Sequence, residues 1–214
     1  MQPSKKQMMV ETFKQVPLYR FRGMCDRRCE STKFARRVLD CGAGGDQPPL
    51  ALFAEDGYET IGVDASKAQI ARAEAYEKTR DLDLRIELGD MRHLRFGDGT
   101  FPFSYSYNSI FHMHKSDVAA AVNELLRVTQ PGGLVFVNFL TNNDFRAGTG
   151  KEVGGGEFVQ VEDGVPTIHS YFEPNEAEGL FGGLHVIYKE DRTLWRYFEG
   201  ERIRQGFVDY VVER

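Results

Sequence analysis

Three carboxylates and a run of glycines carry the first chemical signal in this chain. Val38-Leu39-Asp40-Cys41-Gly42-Ala43-Gly44-Gly45 is a short apolar stretch that ends in an acid and then turns on glycine. Gly42 can take backbone angles closed to residues with side chains, and Gly44 leaves room for a ligand to lie against bare main chain. Glu59-Thr60-Ile61-Gly62-Val63-Asp64 again ends on a carboxylate, and Leu88-Gly89-Asp90-Met91 carries a third. Acids at strand ends around a glycine turn are acceptors placed for the hydroxyl and amino groups of a nucleoside-like ligand. A second group is basic or phenolic: Tyr107, His112 and His114 follow one apolar run, and His169 and Tyr171 sit in a later one. Such side chains serve wherever a substrate must lose a proton.

The elements that would position these residues alternate. A strand at Val38-Leu39 enters the glycine turn. A helix follows, with Asp46 as its cap, Pro48 and Pro49 in its first turn, and Leu50, Leu52 and Phe53 facing inward. Gly57 ends it. Strand Glu59 to Asp64 leads through Ser66, an N-cap, into a helix from Lys67 to about Thr79. Leu84 to Leu88 and Phe101 to Tyr107 read as strands three and four. Asp117 to Thr129 is a periodic helix with Val118, Val122, Leu125, Leu126 and Val128 in its stripe, and Pro131-Gly132-Gly133 breaks it before a fifth strand, Leu134 to Phe139. Near-continuous apolar strands alternating with helices predict a parallel sheet covered on both faces, with ligands at the carboxyl ends of the strands. Outside this block, the segment before Arg37 reads as short helices around a proline. Gly148 to Gly156 reads as a glycine-rich stretch before an inserted hairpin of Phe158–Glu162 and Thr167–Phe172. Glu173 to Leu180 reads as a short helix, and Leu184–Lys189 with Phe207–Val212 as a final antiparallel pair.

On these segments the chain resembles the class I S-adenosylmethionine-dependent methyltransferases over roughly Arg37 to Leu140. Leu125-Leu126-Arg127-Val128-Thr129-Gln130-Pro131-Gly132-Gly133 is similar to that family's helix, turn and fifth strand, especially in small-molecule enzymes of the quinone-biosynthesis type. The resemblance implies a Rossmann-like doubly wound three-layer α/β sandwich. Its mostly parallel seven-stranded sheet would have an antiparallel last strand, with an N-terminal helical flap and the inserted hairpin added. It implies one domain, 1–214, divided into a flap (1–36), a cofactor-binding core (37–141), a substrate-side insertion (142–182) and final strands (183–214). The implied cofactor is S-adenosyl-L-methionine, with S-adenosyl-L-homocysteine as product. Gly42, Ala43 and Gly44 would border it. Asp40 would hold its amino group directly or through water, and Asp64, beside Ala65, would hold the ribose hydroxyls. Asp90 would take the adenine amino group, Met91 would lie against the ring, and Tyr107 would stand near the sulfur. On the acceptor side the expected residues are Tyr19, His112, His169 and Tyr171, with His112, Tyr107 and His169 as candidates for catalysis. Tyr19 and Phe21 are candidates to close over the cofactor.

Two other readings compete: a cofactor-binding regulatory protein without turnover, and an NAD-dependent oxidoreductase. The second fits less well, because Gln47 stands where the dinucleotide fingerprint wants a glycine and Asp46 would place negative charge where a pyrophosphate should bind. With 41% hydrophobic and 28% charged residues in 214, the chain is expected to fold rather than remain disordered. A net charge of −5 gives no general attraction to nucleic acid or anionic membranes, and a solvated helix face is preferred for the basic stretch Arg20 to Arg37. The apolar runs are too short to span a bilayer and the first residues lack a secretory pattern, which predicts a cytoplasmic protein. Cys25, Cys29 and Cys41 are expected as thiols, no metal is expected, and a small molecule is the expected partner, with a homodimer left open.

Overall fold

The computed structural model describes residues 16–162, 164–198 and 200–214. The expected flap residues 1–15 lie outside them. Five strands, β1 (Arg37–Cys41), β2 (Glu59–Asp64), β3 (Ile86–Leu88), β4 (Phe101–Ser106) and β5 (Thr129–Thr141), run parallel in the order β3-β2-β1-β4-β5. β10 (Glu201–Glu213) pairs antiparallel with β5, and β9 (His185–Phe198) pairs antiparallel with β10. The path β3-β2-β1-β4-β5-β10-β9 is therefore the mostly parallel sheet with an antiparallel final strand that the resemblance implies. The inserted segment forms β6 (Lys151–Gly154), β7 (Glu157–Glu162) and β8 (Val165–Phe172). It joins the main sheet through a short parallel pairing of Leu140 with Tyr171 and Thr141 with Phe172.

Helices cover both faces because alternate strand residues point to opposite sides. On one face α1 (Val16–Ser31) and the single-turn α2 (Ala51–Ala54) pack on Val38, Phe103, Tyr105, Phe136 and Val211. Tyr76 of α3 (Lys67–Arg80) and Leu82 join that layer. On the other face α4 (Lys115–Val128) and a 3-10 helix, Glu176–Phe181, cover Leu39, Val63, Val135, Val137 and Tyr210. In α1 the residues Leu18, Phe21 and Cys25 form one buried stripe, with Phe21 against Phe53, Tyr105 and Phe136. The helical N-terminal segment is thus a layer of the sandwich, tied to β10 by two Arg28–Glu213 hydrogen bonds of 2.9 and 3.1 Å. Among the described residues no helix is long and apolar enough to cross a membrane.

Several local expectations are corrected. Asp46 caps no helix: its side chain is 78% exposed, and α2 begins only at Ala51. The consecutive prolines explain this, since each disfavours α geometry in the residue before it and offers no amide proton. β3 is shorter than Leu84–Leu88 because Arg85 adopts a left-handed φ of 55°, which no extended strand accommodates. Pro131-Gly132-Gly133 lies inside β5 as a register shift, and the glycine-rich stretch contains β6. β9 and β10 run well beyond the expected spans, to 14 and 13 residues.

Candidate active site

The glycine turn is fixed from beneath and behind. The amides of Gly42 and Ala43 donate to the Val63 carbonyl at 2.8 and 3.2 Å, and Gly45 donates to the Gln69 carbonyl at 2.9 Å. Gly42 has φ 91°, and a methyl group on Gly44 would stand 2.5 Å from the Gln69 Cβ and 2.8 Å from an Asp64 oxygen. That crowding follows from the role of Asp64 at the end of β2. Its Oδ2 accepts from the Gly44 amide at 2.9 Å, and its Oδ1 from the Ser66 amide at 2.8 Å. Ser66 in turn caps α3, its hydroxyl accepting from the Gln69 amide at 3.3 Å. Among the described residues the carboxylate is therefore held against the glycine turn by backbone amides, with lone pairs left for a ligand.

Gly42, Gly44 and Asp64 open on a crevice of about 600 Å³ at the carboxyl ends of β1, β2 and β4, where Tyr107, Ser109 and His112 also border it. This volume suits a cofactor-sized molecule. The loop after β4 takes its shape from a reciprocal clamp: the Asn108 amide donates to Oδ1 of buried Asn138, whose Nδ2 donates back to the Asn108 Oδ1, both at 2.7 Å. Asn108 sits at φ 54°, a left-handed angle that Asn tolerates better than most residues. Burial pushes the Tyr107 hydroxyl's pKa up, and burial holds half-buried His112 neutral, its pKa lowered to about 4.

Asp40, next to last in β1, stands just ahead of the turn, 1% exposed, and neither carboxylate oxygen makes a hydrogen bond. Burial drives its pKa well above the usual carboxylate range; the Tyr105 hydroxyl on the neighbouring strand opposes the shift and the Asp64 charge adds to it. An unpartnered buried acid beside a ligand crevice is a receptor for a cation or a donor. Of the other cofactor-side expectations, Ala43 is buried and packs against Gly62, Ala65 is exposed between the crevice residues Asp64 and Ser66, and Met91 lies beside Gly42. Of the expected cofactor-side residues, Gly42, Gly44, Asp64 and Tyr107 line the crevice, and Asp40, Ala43, Ala65 and Met91 lie behind or beside it. Phe21, expected to close over the cofactor, is instead buried in the core, and Asp90 and Tyr19 are engaged elsewhere. The Asp90 carboxylate is taken up by the Arg92 guanidinium at 2.6 and 3.0 Å and by the Arg92 amide at 2.9 Å. Tyr19 points to solvent, about 100° around α1 from Leu18, with Arg22 over its ring.

Toward the hairpin a second cavity of about 220 Å³ adjoins the first, the two sharing Asn108, His112, Gln205 and Phe207. His169, 2% exposed, and Tyr171, 1% exposed, border this one, and the Tyr171 hydroxyl donates to Gln160 at 2.9 Å. β8 is fastened to the loop after β4, the Ser170 amide donating to the Phe111 carbonyl and its hydroxyl to the Met113 carbonyl, at 2.9 and 2.5 Å. His112 and His169, far apart in sequence, thereby meet with ring centres 4.8 Å apart.

Sequence reasoning missed the far wall. β10 pairs with β5 only from Phe207 onward, so the ends of β9 and β10 overhang the sheet and carry Arg192, Arg196 and Gln205 into the crevice. Arg192 is locked to buried Asp209 by two bonds of 2.6 and 2.8 Å. The sequence signal present was Gly200, which takes φ 85° in the turn between β9 and β10; the period-two exposure of Asp191 to Tyr197 shows only in the structure.

Residues 39–137 match the family described as methyltransferase domain. The sterol 24-C-methyltransferase of Schizosaccharomyces pombe is 29% identical over 160 residues, 73% of this chain and 42% of that one. The demethylmenaquinone methyltransferase of Beutenbergia cavernae is 36% identical over 109 residues, 49% of this chain and 41% of that one. The chain thus spans about two fifths of the length of each. A Pyrococcus horikoshii OT3 protein of known crystal structure, 20% identical, superposes with a TM-score of 0.71 over 98% of this chain and 92% of its own, which establishes the shared fold.

Proposed function

We propose that this chain, whose residues 39–137 match the methyltransferase-domain family, is a class I S-adenosylmethionine-dependent methyltransferase that transfers the methyl group of that cofactor to a small-molecule acceptor. The observation that carries this reading is the Asp64 carboxylate, fixed by the Gly44 and Ser66 amides and open to the crevice. Such a carboxylate accepts from two vicinal ribose hydroxyls while keeping its backbone bonds. Asp40 suits the cofactor's ammonium, a cation that would meet a buried acid with no hydrogen bond to either oxygen. Gly42, Ala43, Ala65 and Met91 would then border the adenosine and methionine portions.

S-Adenosylmethionine supplies a methyl group on a positively charged sulfur that leaves as a neutral thioether. The residues of this chain orient and enclose. Tyr107, kept protonated by burial, and Phe207 wall the reacting end and exclude water, which supplies much of the rate in an in-line displacement. His112, His169 and Tyr171 face the acceptor from the hairpin side, and Arg192, Arg196 and Gln205 from the overhanging strands, a polar wall suited to an acceptor bearing oxygens. The whole chain acting as one catalytic unit in the cytoplasm is part of this proposal, supported by three free cysteines.

The test is transfer of a labelled methyl group to a panel of hydroxylated, phenolic and isoprenoid acceptors, a sterol and a demethylmenaquinone among them. A methylated product with release of S-adenosylhomocysteine supports the proposal. Tight cofactor binding with no product across the panel favours a regulatory protein, and preferential binding of NAD would overturn the reading.

A further inference from the structure

Glu162 ends β7 with its Oε2 placed between two imidazoles, 3.3 Å from the His169 Nε2 and 3.5 Å from the His112 Nε2. Both separations are long for a charge-assisted hydrogen bond, which closes to about 2.7–2.9 Å. They are the separations of neighbouring ligands around one metal ion. With bonds of about 2.0–2.2 Å to nitrogen and oxygen, adjacent ligand atoms stand roughly 2.8–3.6 Å apart between octahedral and tetrahedral geometry. The ligating atoms of all three residues lie within 4.8 Å of one another. Local structure leaves His169 poorly satisfied: the side chain is 3% exposed, its Nδ1 has no partner, and its Nε2 faces only Glu162.

We infer that His112, Glu162 and His169 form a binding site for a divalent transition-metal ion beside the cofactor crevice. Two imidazoles and one carboxylate select zinc, iron(II), cobalt(II) or manganese(II) over magnesium or calcium, which prefer all-oxygen sets. Three protein ligands leave coordination positions open. These face the 220 Å³ cavity, whose wall includes Phe111, Leu140 and Tyr171. Arg146, 4.0 Å from the other Glu162 oxygen, steadies the carboxylate from behind. One carboxylate against a dication leaves net positive charge, so the ligand that completes the shell is a small molecule with two adjacent oxygens, at least one of them ionised. His112 borders both cavities, so an acceptor chelated here would lie next to the methyl donor. That last link rests on the methyl-transfer reading; the metal site itself does not.

The test uses the full chain, stripped with chelator, titrated with cobalt(II) alone and read by visible absorption and equilibrium dialysis. The expected result is one cobalt per chain with d–d bands of a low-symmetry nitrogen and oxygen site. Glu162→Gln and His112→Asn, both at partly exposed positions, are expected to weaken binding at least tenfold, and His169→Ala to abolish it. Circular dichroism verifies that each variant is folded. No cobalt bound by the wild type, or equal affinity in folded Glu162→Gln and His112→Asn, overturns the site. Calorimetry with S-adenosylmethionine on the same samples separates the two proposals: cofactor binding without cobalt binding sinks only the metal site, and cobalt binding without cofactor binding sinks only the methyl-transfer reading.

Discussion

Replacing Asp40 with Asn should make the protein more stable and a worse binder at once. The carboxylate is 1% exposed with no hydrogen bond to either oxygen, and its pKa is raised by burial first, with Tyr105 opposing and Asp64 reinforcing. A raised folded-state pKa means that ionisation favours unfolding. Stability is full below the unfolded value of 3.8 and is lost as pH rises through the higher folded value. Asn keeps the shape and removes the titration, so wild type and variant should coincide near pH 3.8 and diverge above it. The Asn amide is as buried and unbonded as the protonated acid, so the gain comes only from removing the charge that Asp40 carries at higher pH, a gain on the order of 1–3 kcal/mol for the ligand-free variant near pH 8. For a chain of this size that is a rise of about 2–12 °C in melting temperature. With saturating S-adenosylmethionine most of that gain should vanish, because losing a charge-assisted bond of about 1.5–3 kcal/mol lowers affinity roughly 10- to 150-fold. Thermal melts across pH, with and without cofactor, measure both halves. A ligand-free variant that melts lower than wild type at pH 8, or one that binds the cofactor equally well, would refute the reasoning.

Gly44→Ala should fold yet lose at least tenfold in cofactor affinity by calorimetry, since the new methyl group displaces the turn from Gln69 and breaks the bond that aims Asp64. Asp209→Asn should destabilise by about 3–5 kcal/mol in urea unfolding, because it leaves the Arg192 charge, only 14% exposed, without its counterion. Glu213 and Glu124 have pKa values lowered by hydrogen bonds from Arg28 and Arg127, so the stability they contribute is present above about pH 4.5 and lost as pH falls below it. Arg28→Met should shrink that acid-induced drop in melting temperature, which an unchanged pH profile would contradict.

Local chemistry made the glycine turn and the Asp64 side of the crevice readable. Strand Glu59–Asp64, the Ser66 cap and the glycine turn lie within about thirty residues and are set by propensity, capping and the steric demands of a turn. Where sequence reading went astray, a competing local effect had won. Paired prolines cut α2 to one turn, and a left-handed Arg85 shortened β3. The acceptor half depends on register instead. Which side chains the overhang of β9 and β10 delivers is fixed by the pairing of Phe207 with Leu140. The meeting of His112, Glu162 and His169 needs Ser170 to fasten the hairpin to the loop after β4. Neither constraint is written in spacing or periodicity.

The measurement closest to the centre of this account is a calorimetric titration of wild type and Asp64→Ala with S-adenosylmethionine and S-adenosylhomocysteine. Wild type should bind both, and loss of the ribose acceptor should cost about 1.5–3 kcal/mol, a drop of more than tenfold, for each. No binding by wild type, or equal affinity in a folded Asp64→Ala, would contradict it.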